Sequence, residues 1–372
     1  MKVALVHDYL NEFGGAERVL LAISEIYPNA PIYTIYAKKD SPAVKQMGNV
    51  TIKESWFSYL PFAHKIISPL RFLIPLIWSS FNFKSYDLVI TSASWAVTKG
   101  MRGAKREICY LHSPPRYLYG YDTSRNWQGK WFSGAIKAYA LVVNHFMRIY
   151  DFKQAQKVSY FIANSQNVAK RIEKFYRRTD YKVIYPPVDV SKFKHKPIIS
   201  HKSDYYLTGG RMTAAKNFDL IIKACKKIRV NLKIFGTGVE EKNLKKLSKK
   251  HPPADSKVEF LGNISDSDLI NYYKNARAFI VAQKDEDFGI TPIEAAAACC
   301  PTIAYRGGGY LESVIENKTG IFFDELTVDS LVKAIERLNR TTIKPSVLVS
   351  HARKFSKERF QKEFIKFINS NA

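Results

Sequence analysis

Glu286-Asp287-Phe288-Gly289-Ile290-Thr291-Pro292-Ile293-Glu294 follows an apolar run, Ala278-Phe279-Ile280-Val281, and leads into Ala295-Ala296-Ala297-Ala298. The run before it has the length and composition of a buried strand, and the alanines after it favour a helix. Gly289 marks a turn between them. A strand, a glycine turn and a helix start leave backbone N–H groups facing outward, a pocket suited to a phosphate or a sugar oxygen. The two flanking glutamates suit vicinal hydroxyls, because an ionised carboxylate accepts several hydrogen bonds at once. Phosphate donors beside hydroxyl acceptors are what a nucleotide sugar needs. Two glutamates at this separation arise often by chance, so the weight rests on the whole string.

The same grammar recurs along the chain. Short apolar runs at 3–6, 88–91, 108–111, 160–163 and 182–184 alternate with helical patterns such as 16–26 and 167–175. Unbroken apolar runs, rather than alternating ones, predict a parallel sheet covered on both faces. Tyr185-Pro186-Pro187-Val188-Asp189 breaks the pattern, and the polar, basic stretch 191–203 reads as a linker. Alternation then restarts. Strands are predicted at 205–208, 232–235, 258–261, 278–281, 302–304 and 321–323. Helices are predicted at 218–226, 240–249, 267–273, 293–298 and 328–338. The fold class is therefore α/β, with two doubly wound Rossmann-like domains facing each other across a cleft, 1–187 and 188–350. The tail has helical spacing over 349–368.

A chain of 372 residues, 46% of them apolar, is long enough for two cores. It carries 58 Lys and Arg against 33 acidic residues, a net charge of +25. That excess suits a polyanionic partner: an anionic lipid surface, a diphosphate or nucleic acid. Segment 56–83 is rich in Trp, Phe, Ile and Leu but is interrupted by Pro69, Arg71 and Pro75. Its apolar run is shorter than the ~20 residues of a spanning helix. Two readings stay open, a helix buried against the sheet and an interfacial surface flanked by Lys53, Lys65, Arg71 and Lys84. The four cysteines, Cys109, Cys225, Cys299 and Cys300, show no metal-ligand spacing, so no structural zinc is expected. Thiols of this kind fit a reducing cytosol. The first residues read as a strand and not as a signal peptide, since no long apolar segment is present.

Three loops carry candidate chemistry. Gly209-Gly210-Arg211-Met212-Thr213-Ala214-Ala215-Lys216 follows the first strand of the second domain. Its glycines allow tight backbone, while Arg211 offers a bidentate grip and Lys216 a point charge to a diphosphate leaving group. Gly14-Gly15-Ala16-Glu17 turns the first strand into a helix, a ready anion site. Tyr110-Leu111-His112-Ser113-Pro114-Pro115-Arg116-Tyr117 ends a strand of the first domain, where open α/β sheets bind ligands. A fourth loop, Phe235-Gly236-Thr237-Gly238, lacks the third glycine of a dinucleotide fingerprint, having Glu241 there.

Together these strings resemble retaining glycosyltransferases of family 4, which have the GT-B fold. The Glu286–Glu294 string is similar to that family's Glu-x7-Glu signature, and Gly210-Arg211 to Lys216 to its Gly-Arg-x4-Lys loop. The His112-to-Tyr117 string is similar to a mannosyltransferase-like branch. The resemblance covers nearly the whole chain and implies the roles that follow. Arg211 and Lys216 would grip the diphosphate without a metal, and no Asp-x-Asp stands in a setting that argues for one. Glu286 would take donor-sugar hydroxyls and Glu294 the ribose hydroxyls. Phe288, Gly289, Ile290 and Thr291 would offer backbone N–H groups to the sugar and β-phosphate. Gly14 and Gly15 would face the diphosphate from the first domain, and His112 would reach the donor sugar. Gly209, Gly210, Gly236 and Gly238 would line the nucleotide edge, with base contacts near Asn263 and Ile264. A last helix, 351–372, would pack back onto the first domain. One departure stands out, since the family has glycine where this chain has Cys299.

The expected activity is transfer of a hexose from a nucleotide sugar, mannose from GDP-mannose on the branch resemblance, to a lipid-linked or glycan acceptor. No separate cofactor is expected. A cytoplasmic protein, peripheral on an anionic membrane face, is the expected setting. A UDP-dependent glucosyl- or galactosyltransferase on the same scaffold is the nearest alternative. A nucleotide-dependent oxidoreductase or epimerase would need the missing glycine fingerprint. A nucleic-acid-binding protein would need a basic stripe interleaved with aromatics, yet the Lys-rich stretch 223–250 has Phe235 as its only aromatic. Nucleic acid is therefore not an expected partner.

Overall fold

The computed structural model describes residues 1–121, 133–193, 204–250 and 256–371. Most of the proposed linker, 194–203, lies outside them. Two compact units emerge. The described residues of the first are 1–121, 133–187 and 357–371, and those of the second are 188–193, 204–250 and 256–356.

The first unit is built on a seven-stranded sheet of order β3-β2-β1-β4-β5-β6-β7. The strands are β1 Val3–His7, β2 Ile32–Thr34, β3 Ile52–Glu54, β4 Leu88–Ala93, β5 Glu107–Leu111, β6 Tyr160–Ala163 and β7 Tyr181–Val183. Every pairing is parallel. β1, β4, β5 and most of β6 are buried, which explains their unbroken apolar sequences. The order reverses between β1 and β4, so the loops after these strands diverge and leave a crevice at the carboxyl end.

Segment 56–83 forms short helical pieces rather than one helix: Trp56–Tyr59, Ala63–Ile66, Arg71–Leu73 and Ile74–Ser79. The buried reading holds for one set of its side chains, and another set faces outward. Phe57, Ile67, Ile74, Ile77, Trp78 and Phe83 are buried in one core, while Tyr59, Phe62, Phe72 and Leu76 are exposed. The helix Ser133–Ala155, which the sequence pattern did not suggest, also exposes Leu141, Val142, Phe146 and Ile149. Arg71 ties the two segments together, donating from Nε to Asn144 Oδ1 at 3.0 Å.

The second unit has a six-stranded parallel sheet of order β10-β9-β8-β11-β12-β13. Its strands are β8 Tyr205–Gly209, β9 Asn231–Phe235, β10 Val258–Gly262, β11 Phe279–Val281, β12 Thr302–Tyr305 and β13 Gly320–Phe323. Here the order reverses between β8 and β11. The helical tail pattern divides in two. Pro345–Arg353 lies in the second unit, where Phe355 beyond it packs its ring 5.4 Å from Phe288. Lys357–Asn371 lies in the first, burying Phe360, Phe364 and Ile368 and pairing Lys357 with Glu25. The break between them is fixed by hydrogen bonding, since Val188 N–H donates to the Phe355 carbonyl at 2.8 Å.

Candidate functional site

In the second unit the predicted residues gather at the reversal point of the sheet. The loop after β8 runs through Gly209, Gly210 and Arg211 into the single turn Ala214–Lys216. The loop after β11 carries Glu286 to Gly289. Lys216 crosses from one to the other, its Nζ 2.8 Å from Glu286 Oε2. Asn217 Nδ2 ties the same two loops by donating to the Ala282 carbonyl at 2.8 Å. Arg211 is exposed at the edge of this arrangement. A cation and a carboxylate meeting between strands of opposite winding sit where this sheet class binds ligands.

Glu286 has a second partner that the sequence reading missed, the Tyr310 hydroxyl at 3.3 Å. Tyr310 is buried and follows Arg306-Gly307-Gly308-Gly309, a turn that leads out of β12. A Cβ on Gly309 would lie 2.2 Å from Phe288 Cα, so only glycine lets this turn press against the Glu286 loop. Gly309 N–H also donates to the Glu286 carbonyl at 2.8 Å. The signal was available, because this glycine run follows a strand as the other four glycine turns do.

Gly289 is the N-cap of the helix Ile290–Ala297, with φ +88°, a backbone region that favours glycine. The helix thus starts three residues earlier than the predicted 293, and Pro292 fits inside its first turn, where a missing N–H costs nothing. Ile290 and Thr291 are first-turn residues, and helix geometry gives their N–H groups no acceptor within the helix. Phe288 is a buried anchor, and Glu294 is buried as well, at 6% exposure.

Gly236 and Gly238 interlock with the β8 loop. Gly210 N–H donates to the Phe235 carbonyl at 3.1 Å and Met212 N–H to the Thr237 carbonyl at 2.9 Å. A Cβ on Gly236 would meet the Gly210 carbonyl oxygen at 2.2 Å. Gly236 N–H in turn donates to the Gly262 carbonyl at 2.7 Å, and Thr237 Oγ1 lies 3.5 Å from Asn263 Oδ1. Three loop ends, with Asn263 and Ile264 on the outermost, thus form one backbone-bonded rim.

The other predicted residues, Gly14, Gly15 and His112, belong to the first unit. Gly14 caps the helix Gly15–Ile26, and its N–H donates to Glu17 Oε2 at 2.8 Å. His112 follows β5, with its N–H donating to the Ala93 carbonyl at 2.9 Å and its Nε2 2.8 Å from Ser92 Oγ. Ser113 beside it accepts from the buried Arg171 at 2.9 Å. After β1, the Asp8 carboxylate gathers Ser94 N–H at 3.1 Å, Trp95 N–H at 2.6 Å and the hydroxyls of Ser94 and Thr98. One buried carboxylate therefore fixes the loop on the far side of the crevice.

Both units resemble known proteins. The family model described as "Glycosyltransferase Family 4" matches residues 13–192, and that described as "Glycosyl transferases group 1" matches residues 189–355. The chain carries both glycosyltransferase domains, one after the other. It is 25% identical to the mouse alpha-1,3/1,6-mannosyltransferase ALG2, over 77% of this chain and 74% of that protein. It is 24% identical to a Xenopus laevis GDP-Man:Man(3)GlcNAc(2)-PP-Dol alpha-1,2-mannosyltransferase, over 98% of this chain and 86% of that one. A match to an uncharacterized glycosyltransferase of Methanocaldococcus jannaschii, 28% identical, spans 44% of this chain and about half, 47%, of that protein. Among solved structures, Anabaena Alr3699/HepE in complex with UDP-glucose superposes with a TM-score of 0.73 at 17% identity, all of each chain being covered. Sucrose-phosphate synthase from Thermosynechococcus elongatus gives 0.73 at 17%, over 100% of this chain and 99% of that one. The fold is GT-B, two Rossmann-like parallel-sheet domains.

Proposed function

We propose that this glycosyltransferase is a retaining, metal-independent hexosyltransferase that takes mannose from GDP-mannose and delivers it to a lipid-linked or glycan acceptor. The observation that carries the reading is the Lys216–Glu286 pair at the reversal point of the second sheet, 2.8 Å apart and braced by Tyr310. Before the donor binds, each charge neutralises the other. A nucleotide diphosphate sugar would exchange that pair for two better ones. Lys216, with Arg211, would turn to the diphosphate, and Glu286 to the sugar hydroxyls. The leaving oxygen would then gain negative charge beside two cations already in place, which is differential stabilisation of the transition state. Ile290 and Thr291 N–H groups would add first-turn donors, and Glu294 would hold the ribose. With no base called for, the departing phosphate would help to deprotonate the acceptor on the same face of the sugar.

The acceptor side is supported by the exposed apolar side chains of the first unit, Tyr59, Phe62, Phe72, Leu141, Val142 and Phe146. With the +25 charge they suit the headgroup region of an anionic membrane. Among the described residues, no helix is long and apolar enough to cross a membrane.

A donor panel tests the reading. GDP should raise the midpoint of thermal unfolding more than UDP at equal concentration, a ~tenfold affinity gap being worth ~1.4 kcal/mol at saturation. Turnover should survive EDTA. A larger shift with UDP would select the alternative donor, since UDP-glucose occupies the Anabaena protein of the same fold. Abolition by chelator with rescue by Mg²⁺ would defeat metal independence.

A further inference from the structure

A continuous line of polar side chains runs inside the first unit, from the glycine turn to His112. Glu17 Oε1 lies 3.5 Å from His7 Nε2. His7 Nδ1 lies 3.2 Å from the Ser92 carbonyl oxygen and 3.1 Å from Ser92 Oγ. Ser92 Oγ lies 2.8 Å from His112 Nε2. The four residues come from β1, the helix Gly15–Ile26, the end of β4 and the end of β5. All are buried.

The proton positions along this line follow from what each atom can do. A carbonyl oxygen only accepts, so His7 Nδ1 carries a hydrogen and donates to Ser92. Burial is the largest influence on His7 and lowers its pKa. The Glu17 hydrogen bond and charge and the Asp8 charge outweigh it, and the net shift is upward. Glu17 is shifted downward, its burial being outweighed by His7 and by the backbone at Gly14 and Glu17. An imidazolium facing a carboxylate is the state both shifts favour. The Asp8 oxygens themselves accept from the 94–98 loop. The Ser92 hydroxyl, with an N–H group on the His7 side, directs its own hydrogen to the other neighbour, His112 Nε2. His112 Nε2 therefore accepts, and the ring's hydrogen sits on Nδ1.

We propose that Glu17, His7 and Ser92 are positioning residues that hold His112 in the Nδ1–H tautomer, so that it offers the donor sugar a hydrogen-bond donor and not a base. The inference rests on the reading above that His112 reaches the sugar. It accounts for a transferase that needs no general base at this position. It also accounts for a buried carboxylate beside a turn suited to an anion. Glu17 Oε2 pins the Gly14 N–H, and the His7 charge cancels a negative charge that would otherwise repel a diphosphate there.

The test is the ring itself. The full chain, labelled with ¹⁵N-histidine, gives long-range ¹H–¹⁵N correlations that distinguish the two tautomers, with His112 assigned by its loss in His112→Gln. The wild type should show hydrogen on His112 Nδ1. Ser92→Ala should release the ring to the Nε2–H form and cut kcat/KM about tenfold, the scale of one oriented hydrogen bond. Ser92→Thr, which keeps the hydroxyl, should restore both. Nε2–H in the wild-type ring overturns the proposal without any variant having to fold, and so does an unchanged ring in Ser92→Ala. The spectrum needs no turnover, so a protein inactive on every nucleotide sugar would sink the transferase reading while the ring still decides this one.

Discussion

The two units build the carboxyl ends of their sheets in opposite ways. At the reversal point of the second sheet, glycine loops interlock backbone to backbone, and the charges they carry, Arg211, Lys216 and Glu286, are exposed or half-buried. At that of the first sheet, few charges reach solvent, and the loops are held from beneath. Asp8 holds 94–98, Glu107 takes the Gly100 and Met101 N–H groups, Lys99 pairs with Asp151, and Glu17 holds Gly14. The difference separates what a charge does. On the proposed reading, charge in the second unit serves the donor, so removing it should cost activity. In the first, charge is bound inside the protein, so removing it should cost the fold.

The largest expected effect breaks the first unit. Lys99 and Asp151 are fully buried, Tyr119 donates to Asp151 at 2.6 Å, and the Lys99 ammonium lies 4.8 Å from the Tyr176 ring centre. Lys99→Met would leave a buried carboxylate without its cation, a loss of ~3–5 kcal/mol. Adding Asp151→Leu should recover most of it, because a buried pair is often worth little more than apolar packing. Urea unfolding of the single and double variants measures both. Next in size, Arg211→Ala should lower kcat by ~10²–10³ yet leave the unfolding midpoint unchanged. If Arg211→Ala destabilises as much as Lys99→Met, the contrast between the units fails.

That contrast also explains what could be read from the sequence. Buried parallel strands such as β1 and β6 are apolar runs, so both parallel sheets were legible, while their strand order was not. The second-unit loops were legible too, because glycine beside Arg, Lys or Glu after a strand is a local pattern. β2 and β3 were not, being only three residues each, with β3 at the sheet's edge. The helix Ser133–Ala155 was hidden because Leu141, Val142, Phe146 and Ile149 sit on its exposed face, which blurs the usual amphipathic period. The line from Glu17 to His112 joins residues up to 105 positions apart and has no period at all. Its one local trace is Glu17 three residues after Gly14, the spacing of a capping box.

A smaller effect sharpens the comparison through pH. Burial raises Glu107 to about 7, against the pull of the Met101 and Gly100 N–H groups. A group with a raised folded pKa contributes stability that is complete below its unfolded value, 4.5 here, and is lost as pH rises through about 7. His7, also raised, has the same sign from a starting value of 6.5. The first unit should therefore lose roughly 1–3 kcal/mol between pH 5.5 and 8. Glu107→Gln keeps one acceptor for the loop and should flatten that slope. A wild-type urea midpoint that rises with pH over this range would reverse the sign argued here.

The smallest effect lies in the second unit, at Cys299, a place where its sequence departs from the pattern of the family it resembles. The helix Ile290–Ala297 ends with Ala298 as its C-cap, and Cys299 follows at φ +61°. Cys299 N–H donates to the Ala296 carbonyl at 3.0 Å and Cys300 N–H to the Ala295 carbonyl at 2.8 Å, the paired bonds that close a helix on a left-handed residue. Glycine adopts that conformation without a Cβ clash, whereas an L side chain there costs ~1 kcal/mol. Cys299→Gly removes the clash but frees the unfolded chain, which offsets part of the gain. The expected net result is stabilisation by up to ~1 kcal/mol, with donor KM unchanged, since the cap lies at the opposite end of the helix from Ile290 and Thr291. Because the strain is local backbone and not buried charge, the gain should be the same at pH 5.5 and pH 8. A gain that varied with pH would tie this cap to a titrating group, and the second unit would no longer be the one whose stability is independent of buried charge.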